Sequence, residues 1–193
     1  MSSLKLGPRL LSDPPGGVLM WLIVGLELLT FAIVLVMLAV LRASQPAVFG
    51  AGRAALSANT GLALTLLLVT SGALAAAGVH RYRLGHDASA RALLIAAAVG
   101  GLGFVGLKLK DYAEHIAAGH QLGSNDFWDA FYLGSGFHLA HVLVGLVLLT
   151  GLVVRLGRAP RLGVETVAAV ALFWHLCDVV WFFLFPFFYV GGG

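Results

Sequence analysis

Residues Val18 to Leu41 read VLMWLIVGLELLTFAIVLVMLAVL, and a single ionisable side chain, Glu27, interrupts them. At about 1.5 Å of rise per residue such a helix is about 36 Å long, enough to cross a hydrocarbon core of about 30 Å. The rest of the chain carries the same signature. It has 193 residues, of which 60% are apolar and 11% charged, with a mean hydropathy of +0.95. A soluble domain is about half apolar and about a quarter charged, so both figures depart toward lipid. The formal charge of +3 gives no basic face wide enough for nucleic acid. A single cysteine, Cys177, excludes an internal disulfide, a thiolate iron–sulfur cluster, a Cys-x-x-Cys-His haem attachment and a two-cysteine copper site.

Working outward, four more segments are long and apolar enough to span. They cover about 60–79, 92–110, 130–154 and 166–189, the third reaching Lys110 if Lys108 and Lys110 snorkel to the outer surface. Short connections predict an all-α membrane protein, one five-helix transmembrane domain over 1–193. The first span is longer than the apolar region of a secretory signal, holds a carboxylate and follows the breaker Asp13-Pro14-Pro15-Gly16-Gly17, so it reads as retained. Eight cations (Lys5, Arg9, Arg81, Arg83, Arg91, Arg155, Arg158, Arg161) fall on the N-terminal side and four (Arg42, Arg53, Lys108, Lys110) on the other. The positive-inside bias then predicts a cytoplasmic N-terminus and an external C-terminus. Asp111, Glu114, Asp126 and Asp129 lie on the less basic side, and an odd helix number leaves no pair of inverted halves.

Ionisable groups inside spans are costly and face protein or water. Counted from the cytoplasmic ends, Glu27 and His175 lie about 14 Å deep, Asp178 and His138 about 18 Å, and His141 about 13 Å. His138/His141 and His175/Asp178 are i, i+3 pairs, so each pair shares a helix face. Three readings fit this layer. His138, His141 and His175 offer imidazoles to a metal or haem, although two histidines one turn apart cannot both be axial ligands of one haem. Glu27, the histidines and Asp178 have the chemistry of a proton relay. The same groups can also pair with one another to fix helix register. Glu27, alone on its helix, requires a partner from another helix or a lipid headgroup.

Other features are packing signals. Gly100, Gly103 and Gly106 recur every third residue and predict close approach of a neighbouring helix. Trp174 and Trp181 share a face of the last span, where Phe182, Phe183, Phe185, Phe187, Phe188 and Tyr189 form an interfacial aromatic belt. Cys177 reads as a small core residue. His80, His86, His115 and His120 fall at span ends or in loops.

Read in order, several strings resemble subunit III of the haem–copper oxidases (cytochrome c oxidase subunit 3-like). They are Trp21-x5-Glu27-x3-Phe31, Asn59-Thr60 with Thr70-Ser71, Lys108-x2-Asp111-Tyr112, Gly136-Phe137-His138-x2-His141-Val142-x2-Gly145, and Glu165 followed by Trp174-His175-x2-Asp178-Val179-Val180-Trp181. The resemblance runs from about Met20 to Tyr189. It implies a bundle of seven spans, or five in short members. It also implies a non-catalytic subunit that docks on a catalytic subunit, binds phospholipid in a cleft, and supports assembly, proton uptake and durability in turnover. On this resemblance Glu27 matches the family's intramembrane glutamate, and His138, His141, Glu165, His175 and Asp178 match its other polar positions. Trp21, Glu165, Trp174 and Trp181 are expected at a lipid or subunit interface.

No catalytic residue, metal ligand or cofactor is expected in the chain itself. Three mid-membrane histidines are too few for two haems and a copper, so haem with copper or iron is expected on the partner. The expected location is a bacterial inner membrane. Lys108-x2-Asp111-Tyr112 departs from the Gln-x-x-Glu-Tyr usual in respiratory members. With Ser124-Asn125-Asp126-Phe127 and the Phe185-Pro186 ending, it is more similar to the accessory protein of nitric oxide reductases. Two rival functions use the same residues: a self-sufficient haem- or metal-binding membrane protein, and a proton-coupled carrier titrating at Glu27 and Asp178.

Overall fold

The computed structural model describes residues 16–158 and 161–190. Lys5 and Arg9, two of the cations behind the orientation argument, lie outside the described residues, as do Asp13-Pro14-Pro15 and Pro160. Six helices follow one another: α1 (Gly17–Ser44), α2 (Pro46–Ala55), α3 (Ala58–Arg83), α4 (Asp87–Ala117), α5 (Asp126–Leu156) and α6 (Val164–Tyr189). No strand occurs among the described residues. All but α2 are long and apolar enough to cross a membrane. They run alternately up and down, so the starts of α1, α4 and α6 share one end of the bundle with the ends of α3 and α5.

The helices begin where the sequence supplies caps. Ser57 accepts from the Thr60 N–H at 3.3 Å, and Asn125 accepts from the Phe127 and Trp128 N–H groups at 3.1 Å each. At the start of α1, Gly16 has φ +87°, and a Cβ there would meet Ala169 Cα at 3.0 Å. Glycine is needed on both counts. The Gly16 N–H donates to Glu165 Oε2 at 2.9 Å, which ties the start of α1 to that of α6. On the same end, Arg161 donates to Asp87 and to the Tyr82 carbonyl, while the Tyr82 hydroxyl donates to the Leu162 carbonyl. These bonds fasten the short α5–α6 connection to α3 and α4.

α3 and α4 form the most extensive helix pair, and α6 packs against α3, α5 and α1. α1 is the least enclosed: its buried residues are Val24, Phe31 and Leu38, one every seventh position. The glycine row on α4 is only partly used as the spacing predicts. A Cβ on Gly100 would meet Ser71 Cβ at 3.0 Å and one on Gly103 would meet Leu67 at 3.4 Å, but one on Gly106 would meet nothing within 4 Å. The tightest approach on α4 is at Gly101, where a Cβ would lie 2.6 Å from Trp174. α2 falls in a segment without span character. Pro46 at its first turn presets the helical φ. Phe49 and Gly52 then pack against Phe127 of α5.

Candidate functional site

The polar layer is made of three separate contacts rather than one cluster. On α1, Glu27 stands three residues after Val24 and four before Phe31, so it shares that helix's buried face. Across the gap to α5, its Oε2 lies 3.0 Å from His141 Nε2, with 27% and 16% of the two side chains exposed. His141 Nδ1 is 2.9 Å from the Phe137 carbonyl. That carbonyl can only accept, so Nδ1 carries a proton, and the proton between Nε2 and Glu27 can sit on either partner. The bond is a charge-assisted pair in one state and a carboxylic acid against neutral imidazole in the other. Phe31 packs edge-on to His141 with ring centroids 5.0 Å apart.

The second contact joins α5 to α6. His138 is fully buried, and its Nε2 donates to the Cys177 carbonyl at 3.0 Å. Its Nδ1 is buried without a partner. The ring is enclosed by Phe104 and Trp181, with centroids 5.8 and 5.3 Å away. Cys177 itself is buried and donates weakly to the Phe173 carbonyl.

The third lies within α6, where His175 Nδ1 is 3.0 Å from Asp178 Oδ2. This pair faces α3 at Gly72, where any Cβ would fall 1.8 Å from Asp178 Oδ2. Only a glycine lets the carboxylate approach the α3 backbone. Asp178 Oδ1 is buried without a partner. Taken together, the contacts run from α1 through α5 and α6 to α3. Among the described residues, no group of three or more His, Cys, Asp or Glu side chains is arranged to hold a metal ion.

Two of the expected interface residues are not at an interface. Trp174 and Trp181 are 0% and 1% exposed. Trp174 fills the space left by Gly101 and Gly145 and donates its indole N–H to Ser71 Oγ at 3.0 Å. Trp181 donates to Thr65 Oγ1 at 3.0 Å. Both hydroxyls donate onward, Ser71 to the Ala97 carbonyl and Thr65 to the Gly61 carbonyl. Buried indole N–H groups need such partners, and the small residues of α4 and α5 made room inside the bundle. Trp21 is 44% exposed and Glu165 is exposed. The aromatic belt divides likewise: Phe182 and Phe183 are exposed, whereas Phe188 and Tyr189 are buried.

Sequence reasoning missed a second polar centre. Lys108 does not snorkel; it is 0% exposed. Its ammonium donates to Asp111 Oδ2 at 3.0 Å and to the Tyr189 hydroxyl at 2.7 Å. It lies 4.1 Å from the ring centre of Phe131 and 4.5 Å from that of Tyr112, both within cation–π range. The Tyr189 hydroxyl donates to Asp111 Oδ2 at 2.6 Å, and His115 Nε2 is 3.4 Å from Oδ1. Tyr112 and Ser135 share a 2.7 Å hydrogen bond between α4 and α5. The i, i+3 spacing of Lys108 and Asp111 was the available signal. Lys110 is exposed and pairs with Glu114 at the surface.

Between α1 and α5 an apolar cleft of about 790 Å³ opens, with Met37, Leu38, Leu133 and Phe137 in its walls and Ser44 and Asp126 at its rim. Gln45 donates to Asp126 there, bridging the α1–α2 corner to the start of α5.

Comparison with known proteins follows the same outline. The family model for cytochrome c oxidase subunit III matches residues 18–193. The chain is 30% identical over 137 residues to quinol oxidase subunit 3 of Bacillus spizizenii (strain ATCC 23059 / NRRL B-14472 / W23), covering 69% of this chain and 67% of that protein. It is 35% identical over 99 residues to cytochrome c oxidase subunit 3 of Bacillus sp. (strain PS3), covering 48% and 45%. It is 31% identical over 134 residues to cytochrome c oxidase subunit 3 of Prototheca wickerhamii, covering 67% and 49%.

Proposed function

This chain belongs to the cytochrome c oxidase subunit III family, and from that premise we propose that it is the non-catalytic, subunit III-type membrane subunit of a respiratory haem–copper complex. The observation that carries the reading is the use of the mid-membrane imidazoles. His138 binds a carbonyl of α6, His141 binds Glu27 and the Phe137 carbonyl, and His175 binds Asp178. His138 and His141 are thus engaged in joining helices and His175 in a bond within α6, a use that suits packing of the bundle rather than ligation of a redox centre. Haem with copper or iron belongs to the catalytic partner on which this chain docks, and the chain acts as one transmembrane domain in a bacterial inner membrane. Its N-terminus faces the cytoplasm, on the distribution of Lys and Arg.

The geometry supports two further roles. The α1–α5 cleft is apolar, of the size of small-ligand sites, and open along a helix that is otherwise little enclosed, so it suits a phospholipid acyl chain. Beside it, the Glu27–His141 bond holds α1 to α5 and can hold one proton on either partner, which suits a role in proton uptake by the complex. Oxygen is the favoured substrate of the partner, because the relatives named above are quinol and cytochrome c oxidase subunits. Nitric oxide is the second reading, and it rests on Lys108-x2-Asp111-Tyr112 in place of Gln-x-x-Glu-Tyr. The test is purification of the complex from native membranes through a tag on this chain. An accompanying haem-bearing subunit supports the proposal, and its turnover with oxygen or nitric oxide decides between the substrates. A stoichiometric Soret band from the isolated chain contradicts the proposal.

A further inference from the structure

We propose that Arg42 and Arg53 form a binding site for a phosphate group, with a phospholipid headgroup as its source, at the end of the bundle opposite the start of α1. The site is separate from the α1–α5 cleft. It is a cavity of about 580 Å³ between the end of α1, the short helix α2 and the end of α6. Ala39 and Ala43 of α1, Pro46 and Phe49 of α2, and Phe187 of α6 give it apolar walls, and the two arginines are its only charged lining.

The arginines lack the partners that such charges ordinarily have. Arg53 is 8% exposed, and its Nε is buried without a hydrogen bond. Among the described residues neither guanidinium has an ion pair or a hydrogen bond; Arg42 has only the face of Phe187, 5.8 Å from the ring centre. Burial, and secondarily the neighbouring charge of Arg42, push the Arg53 pKa down. A buried guanidinium next to a second one, with no carboxylate, is costly unless an anion arrives. The planar fork of donors matches the oxygens of a phosphate and holds them in bidentate fashion.

Location selects the source. Arg42 stands in the last turn of a membrane-spanning helix, and α2 lies outside the spans. The cavity therefore lies at headgroup depth, where phosphodiesters are the most abundant anions and basic side chains recruit them. Its apolar walls suit the glycerol and the first methylenes of an acyl chain.

The test uses the full chain, purified, lipid-depleted and titrated with phosphatidylglycerol, with the bound lipid counted by native mass spectrometry. Wild type should hold one more phospholipid, with dissociation at least about tenfold tighter, than Arg42→Gln/Arg53→Gln, as expected for loss of charge-assisted hydrogen bonds. Ala43→Glu keeps both arginines and sets a carboxylate in the cavity wall. It should lose the same lipid while melting no lower than wild type. Diacylglycerol, which has no phosphate, should not occupy the site. Competition by inorganic phosphate at millimolar concentration would assign the site to phosphate from either source, and its failure to compete would assign it to the lipid alone. Equal phosphatidylglycerol retention by wild type and both variants, or equal retention of diacylglycerol, overturns the proposal. It is also overturned if the arginines prove to pair with a carboxylate of another subunit in the intact complex.

Discussion

Glu27 of α1 and His141 of α5 are 114 positions apart in sequence and 3.0 Å apart in space, and theirs is the only ion pair joining α1 to another helix among the described residues. Other attachments of α1 include a few buried side chains, the Gly16–Glu165 bond at its start and the Gln45–Asp126 bond at its end. The pair therefore bears on the attachment of the helix as well as on proton chemistry.

Replacing Glu27 with Gln keeps the shape and an acceptor oxygen but removes the charge. The expected result is unchanged haem content in the complex with lower thermal stability or faster loss of activity during turnover. A double-mutant cycle of Glu27→Gln with His141→Gln, read from thermal unfolding in detergent, should give a coupling of about 1 kcal/mol. Additive effects would mean that the two side chains act independently.

The glycines make a sharper prediction, because two that look alike in sequence have opposite surroundings. A methyl at Gly72 would overlap Asp178 Oδ2 at 1.8 Å, while one at Gly106 would meet nothing within 4 Å. Gly72→Ala is expected to destabilise by about 1–3 kcal/mol, the usual cost of overpacking. Gly106→Ala should be neutral or stabilising by a few tenths of a kcal/mol, since helical glycine is entropically unfavourable. Melting temperatures of the two variants side by side check both signs.

Lys108 offers a test of the buried centre near the end of α6. Lys108→Met strands Asp111, which retains only the Tyr189 hydroxyl and His115, and should cost about 3–5 kcal/mol. Adding Asp111→Leu removes the stranded charge, and much of the loss should return. If the single variant is as stable as wild type, the bonds of Lys108 and Asp111 to Tyr189 do not hold α4 and α6 together.

The five spans were legible because apolar length is a strong signal, yet every boundary except the last, at Tyr189, fell short. Asp87–Arg91 and Asp111–Ala117 continue α4 beyond the apolar stretch, and no hydropathy rule sees a helix once it turns polar. α2 was missed because ten residues that include two glycines and an arginine read as a link. Counting residues brought Glu27 and His141 to the same depth, and the structure bonds them. It did not reveal that His138 turns to a carbonyl, because a backbone partner leaves no trace in composition. Trp174 and Trp181 read as packing residues from their shared helix face, and only the family resemblance set them at an interface. Their actual environment depends on Gly101, Gly145, Ser71 and Thr65, which come from three other helices. Lys108 failed the snorkelling expectation for a like reason: Asp111 and Tyr189 supply inside the bundle what water would supply outside.

The account depends most on where the redox centre is. The direct measurement is the haem content of the complex purified from native membranes through this chain, before and after the chain is stripped away by detergent. The account predicts that all haem stays with the large catalytic subunit and that the released chain shows no Soret absorption. Haem leaving in stoichiometric amount with the released chain, bound through His138, His141 or His175, would contradict it.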